Sequence, residues 1–188
     1  MARFITGDLT KGDLAILMEG KKADVIYSDP PWDDAWVSIF RKRAGKELEG
    51  QNIQTFLESF VVELKKYAKG IVYLEMGMKN INLLRTILKN HGAVELNLWK
   101  YPLGKGYQYL WRGYFNPGNY PIVNPVFAYT EKEAHARLVK NDAVPGGILL
   151  DPCIGIGRAY DIAKKVGMDC YGMDISKVKI EKLSKRIK

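Results

Sequence analysis

Residues 148–174, ILLDPCIGIGRAYDIAKKVGMDCYGMD, decide the fold. A short apolar run, Ile148–Leu150, leads into the glycine-rich turn Asp151-Pro152-Cys153-Ile154-Gly155-Ile156-Gly157. A helix-like stretch follows, and Cys170–Met173 is a second strand-like run that ends on Asp174. Strand, turn, helix and strand make the repeating unit of a parallel sheet covered by helices. Glycines in such a turn let the backbone approach a ligand closely, and the helix N-terminus behind them favours an anion. A lone Gly-x-Gly is common in strand-to-helix turns. The acid at the next strand end adds weight, because a carboxylate at about that spacing suits a pair of ribose hydroxyls. As a plain alternative, Asp174 caps the helix that begins after it.

The same alternation runs through the rest of the chain. Arg3–Thr6 and Ala23–Ser28 read as strands, and Asp33–Gly50, polar and basic, reads as a mobile loop. Ile53, Phe56, Leu57, Phe60, Val61, Leu64 and Tyr67 recur at helical spacing, with Gly70 expected as the stop. Gly70–Met76 is strand-like and Asn80–Asn90 a second amphipathic helix. Val94–Tyr101 and Val123–Thr130 are expected as strands flanking a glycine- and aromatic-rich hairpin or loop, and a basic helix is expected from Ser176 onward.

The 188 residues suit one domain with a real core. Two cysteines and two histidines without metal-ligand spacing point away from a zinc site and a disulfide scaffold. No run reads as a signal peptide or a membrane span, so a cytoplasmic protein with no membrane partner is expected. A net charge of +8 is in keeping with a polyanionic partner, although mild basicity also serves solubility alone.

Asp29-Pro30-Pro31-Trp32 directly follows the apolar run Val25-Ile26-Tyr27, where ligands gather in open α/β sheets. Two prolines keep the backbone extended and its carbonyls available. A carboxylate and a fixed carbonyl are two acceptors, the complement of an aromatic amino group with two N–H donors. Holding both hydrogens while the nitrogen becomes tetrahedral frees its lone pair for in-line attack. Trp32 offers a flat surface for an extruded base. A strand-ending cap followed by a rigid turn explains the four residues equally well. Asp8, in Gly7-Asp8-Leu9, follows a short strand and could accept from an adenine amino group, with Asp13 as its rival.

Together these residues resemble the β-class amino-methyltransferases, the circularly permuted DNA methyltransferases of the adenine-N6 and cytosine-N4 group. In that family the Asp/Ser-Pro-Pro-Tyr/Trp motif precedes the cofactor motif, as Asp29–Trp32 precedes Asp151–Gly157 here. Gly7-Asp8 ahead of the catalytic motif, Leu98-Trp99-Lys100, and Gly172-Met173-Asp174-Ile175-Ser176 before a basic helix also resemble the family. The resemblance implies a Rossmann-like methyltransferase fold, permuted, with a mostly parallel sheet and helices on both faces. It implies residues 1–130 as a catalytic half, 131–147 as a short connector in place of a recognition domain, and 148–188 as the half that binds S-adenosylmethionine. By the resemblance, Asp29 and the Pro30 carbonyl grip the target amino group, Pro31 shapes the loop and Trp32 stacks on the base. Asp151, Pro152, Gly155 and Gly157 take the methionine end of the cofactor, Asp174 the ribose and Asp8 the adenine. Aspartate at the first catalytic position leans toward adenine N6, and members of the family often form homodimers.

The family's His-Pro-x-Gln-Lys-Pro-like stretch is absent from Lys132–Gly147, and the short connector resembles small phage-type adenine methyltransferases of relaxed specificity in a prokaryotic or phage-infected cell. Arg41, Lys42 and Arg43 after the catalytic motif, and Lys105, Tyr107 and Arg112 in the aromatic segment, are the candidate DNA contacts. Solvated surface, or aromatics packed on the sheet, are the plainer readings of both groups. RNA as the acceptor is the first alternative, because messenger-RNA adenine methyltransferases share Asp-Pro-Pro-Trp. A catalytically silent binding subunit is the second, and a protein glutamine methyltransferase a distant third.

Overall fold

Val25, Ile26 and Tyr27 are all apolar in sequence because the strand they form is covered on both faces. The computed structural model describes residues 1–46, 50–103, 106–124 and 131–187. Its strands are β1 (Ala2–Thr6), β2 (Ala23–Ser28), β3 (Ala68–Gly77), β4 (Val94–Leu103), β5 (Gly106–Tyr114), β6 (Ile148–Asp151) and β7 (Asp169–Asp174). They form one sheet in the order β1-β7-β6-β2-β3-β5-β4. The first five of these are parallel, and β5 runs antiparallel to both β3 and β4. The permuted order expected from the motifs is present: β1, at the start of the chain, pairs with β7, near its end.

Alternate side chains feed two cores. Ile26, Val72, Leu74, Leu150 and Met173 pack with α1 (Leu14–Met18), α3 (Ile53–Tyr67) and α4 (Ile81–Asn90). Val25, Tyr27, Ile71, Tyr73, Leu149 and Cys170 pack with α5 (Glu131–Lys140), α6 (Arg158–Val166) and α7 (Lys177–Lys185). One strand thus divides its residues between two helical layers by its period of two. No helix among the described residues is long and apolar enough to cross a membrane.

Three expectations change. The polar segment after Trp32 is not a loop throughout, since α2 (Asp34–Arg43) forms there, capped by the Asp33 carboxylate on the Trp36 amide. Val123 and Asn124 lie in no strand, and 125–130 fall outside the described residues; the hairpin partner of β4 is β5. The connector 131–147, for which the sequence predicts no element, contains α5, which packs on α6. Helix α3 starts at a reciprocal Asn52–Thr55 capping box, as its spacing suggests, but it ends at Tyr67 and passes directly into β3. Gly70 is needed for a different reason: a Cβ there would stand 2.2 Å from the Asp24 carbonyl oxygen of the neighbouring strand.

Candidate active site

From β6 the chain continues toward β7, and from β2 toward β3, so the direction of winding reverses between two adjacent strands. Crevices form outside the carboxyl ends of strands at such a point. Asp29-Pro30-Pro31-Trp32 leaves β2 and Asp151–Gly157 leaves β6, which brings the two motifs side by side although they lie far apart in the chain. Ser28 Oγ joins them by donating to Asp151 Oδ1 at 2.7 Å.

A cavity of about 580 Å³ opens here, a size ordinary for a small-molecule site. Asp8, Asp29, Pro31, Asp151, Pro152, Gly155 and Asp174 all line it. So do Val37, Phe40 and Arg41 of α2 and Phe56 of α3. Each carboxylate has a distinct setting. Asp8 accepts from the Thr10 amide at 3.1 Å and hydroxyl at 2.7 Å, and pairs with buried Arg41 at 3.2 Å. Its rival Asp13 instead accepts from the Asp8 amide at 2.8 Å, a local structural bond. Asp174 accepts from the Gly155 amide at 3.0 Å and the Ser176 amide at 2.8 Å, with Lys179 Nζ at 3.2 Å. The acid and the glycine turn are therefore tied together, and the turn itself needs glycine because Gly155 has φ +55°.

Asp151 is buried, and burial pushes its carboxyl up to about 7. The bonds from Ser28 and the Cys153 amide pull the other way, while the charges of Asp29 and Asp174 raise it further. Burial, then Asp151 and Asp174, push the Cys153 thiol well above its ordinary value, which disfavours the thiolate a nucleophile needs. Asp29 is exposed, and the Trp32 indole donates to its Oδ1 at 2.7 Å. The Trp32 ring lies against Gly77, where a Cβ would stand 2.8 Å from the ring, and the Asn80 side chain holds the Trp32 carbonyl at 2.8 Å.

Other sequence candidates fall elsewhere. Pro30 is buried beside the cavity without lining it. Gly157 adopts φ +97° and faces Leu183 of α7, so helix packing accounts for it. Arg41 is no surface residue: it is buried under α2 on Asp8, whereas Lys42 and Arg43 are exposed. Arg112, expected at the nucleic-acid surface, is fully buried, and its guanidinium makes a two-pronged pair with Asp142 at 2.7 and 2.8 Å. The sheet face covered by α5 turns it inward. Tyr107 is exposed on the hairpin, with Lys100 Nζ 4.0 Å above its ring. Lys105 lies outside the described residues.

Sequence reasoning missed Tyr27 and Arg158, which also line the cavity, and Glu75, the buried acid that both contact. The available signal was a glutamate inside the otherwise apolar run Ile71–Met76.

No known family profile and no curated protein matches this sequence. Solved structures match its fold. M1.HpyAVI is 15% identical with a TM-score of 0.70, covering 100% of this chain and 99% of its own. TTHA0409 of Thermus thermophilus, a candidate DNA modification methylase, is 16% identical with a TM-score of 0.71, covering 99% and 94%. The cytosine-N4-specific PvuII DNA methyltransferase is 12% identical with a TM-score of 0.66, covering 100% and 86%. M1.HpyAVI and TTHA0409 have each also been solved with S-adenosylmethionine. The likeness extends over the whole chain and shows that this protein has the Rossmann-like methyltransferase fold.

Proposed function

We propose that this protein is an S-adenosylmethionine-dependent methyltransferase acting on an exocyclic amino nitrogen of a nucleic-acid base, adenine N6 in DNA. One observation carries the reading: the Asp29 turn and the Asp151–Gly157 turn, joined through Ser28, open on one cavity with Asp8 and Asp174 at its other strand ends. The cavity fits the cofactor chemically. Apolar walls from Leu9, Val37, Phe40 and Phe56 suit a purine, Asp174 suits ribose hydroxyls, and several carboxylates suit a ligand carrying a sulfonium and an ammonium.

S-adenosylmethionine supplies an electrophilic methyl group on its sulfonium. The chain's own residues prepare the acceptor. Asp29, at the exposed mouth, accepts one amino hydrogen and the Pro30 carbonyl the other. The indole bond from Trp32 fixes the direction of the Asp29 carboxylate, so little reorganisation is left for the reacting complex. Trp32, backed by Gly77, provides the face for an extruded base. As the nitrogen becomes tetrahedral its proton passes to Asp29 or to water, and no covalent intermediate with the enzyme forms. Lys42 and Arg43 on α2, and Tyr107 with Lys100 on the hairpin, are the surface groups for the nucleic acid. With Glu131–Lys140 of the connector forming α5, residues 1–188 act as one methyltransferase domain of relaxed sequence preference.

The test is incubation with S-adenosylmethionine and unmethylated DNA or RNA, followed by digestion and nucleoside mass spectrometry. N6-methyladenine in DNA, lost with Asp29→Ala while S-adenosylhomocysteine still binds, is the expected result. N4-methylcytosine would replace the acceptor, N6-methyladenine in RNA alone would replace the polymer, and no methylation of either would overturn the reading.

A further inference from the structure

The carboxyl end of β3 holds a buried charge that the transfer step does not use. Glu75 is fully buried, and a carboxylate in such a place is costly unless charged and hydrogen-bonding partners surround it. Four elements supply them. The Tyr27 hydroxyl of β2 donates to Oε1, and the Tyr101 hydroxyl of β4 reaches Oε2 at 3.4 Å. His135 of α5 places Nδ1 2.5 Å from the Tyr27 hydroxyl and 3.7 Å from Glu75. Arg158, the first residue of α6, puts one terminal nitrogen 2.6 Å from each carboxylate oxygen.

Arg158 also lines the cavity, and its side chain keeps 31% of its surface accessible. It is thus pinned from behind by a buried acid and presented to the cavity in front. A long cationic side chain would otherwise spend much rotamer freedom on holding one position. The remaining cations of the cavity are each paired with another carboxylate: Arg41 with Asp8 at β1, Lys179 with Asp174 at β7, and Arg186 with Asp161 of α6.

The sheet order then assigns a ligand group to Arg158. Along the carboxyl edge come Asp8 (β1), Asp174 (β7), Asp151 (β6), Asp29 (β2) and Glu75 (β3). A nucleoside with its ribose at Asp174 and its reacting sulfur toward Asp29 must direct its amino-acid tail to the β6–β2–β3 side. Asp29 there suits a sulfonium and an ammonium but repels a carboxylate. We propose that Arg158, positioned by Glu75, binds the α-carboxylate of the methionine moiety of S-adenosylmethionine; this rests on the methyltransferase reading above. Arg158 is a binding residue and Glu75 a positioning residue.

Calorimetric titration with S-adenosylhomocysteine and with its decarboxylated analogue, which keeps the nucleoside, thioether and ammonium, tests this directly. The wild-type protein is expected to favour S-adenosylhomocysteine by about 10- to 100-fold, the range for a hydrogen-bonded charge pair. Arg158→Ala is expected to abolish that preference by weakening S-adenosylhomocysteine alone. Arg158→Lys, which keeps the charge without the fork, should retain part of it, and Glu75→Gln should reduce it without touching the analogue. The ratio of the two Kd values makes each folded variant its own control, so a loss of folding in Arg158→Ala leaves Arg158→Lys to decide. Equal losses on both ligands, or an unchanged ratio, overturn the proposal and leave the methyltransferase reading standing. A wild-type protein that binds neither ligand overturns both.

Discussion

Asp151 sits where its surroundings oppose a negative charge. Burial dominates, the neighbouring carboxylates add to it, and the bonds from Ser28 and the Cys153 amide offset only part, so the group titrates at about 7. A carboxyl whose pKa is raised by folding binds more protons folded than unfolded between the two values, so stability falls as pH rises from about 4 to 7. Above that window this group costs nothing further. Denaturant melts from pH 4 to 8 should show Asp151→Asn losing less stability than the wild type across the window, by up to a few kcal/mol. Parallel curves for the two proteins would refute the buried, protonated state. The choice between Asp8 and Asp13 shows what residue-scale reading misses. Both are acids near a turn, and only the fold turns Asp8 to the cavity and Asp13 to a backbone amide.

Helix α2 is the element that polarity concealed. Asp33–Gly50 has few apolar residues, yet Val37, Phe40 and Arg41 fall three and four apart and face the cavity behind an Asp33 cap. The apolar stripe is short because the cavity and α3 take the place of a full core. Its outer, C-terminal turn presents Lys42 and Arg43. Lys42→Ala and Arg43→Ala should each weaken DNA binding without regard to sequence, and each should reduce the slope of log affinity against log salt by about 1. A slope unchanged in both variants would remove α2 from the DNA-binding face. The aromatic segment divides in the same way. Trp111 and Arg112 point to opposite, buried faces of the sheet, whereas Tyr107, near the hairpin tip, stays exposed, because strand alternation and distance from the sheet centre, not residue type, decide which side meets water.

At the scale of the whole molecule, Arg112 clamps the edge of the sheet to the chain that follows α5. It reaches Asp142, the Tyr73 hydroxyl, Asn97 and the Pro121 carbonyl from a fully buried position. Arg112→Ala leaves Asp142 buried without its cation, a loss of about 3–5 kcal/mol, and should lower the unfolding midpoint while leaving DNA affinity per folded molecule unchanged. Weakened DNA binding at full stability would return Arg112 to the surface role. The sequence by itself determined the parallel sheet, the permuted order of its motifs and most of the acids at the strand ends, because strand periodicity, glycine turns and strand-ending carboxylates are local signals. Only the tertiary structure decided which of the basic residues are buried, why Gly70 and Gly157 are glycine, and that Glu75, Tyr27 and Arg158 meet at the cavity. Those facts depend on contacts between residues far apart in the chain, and on which face of the sheet a side chain occupies, and neither leaves a pattern in neighbouring residues.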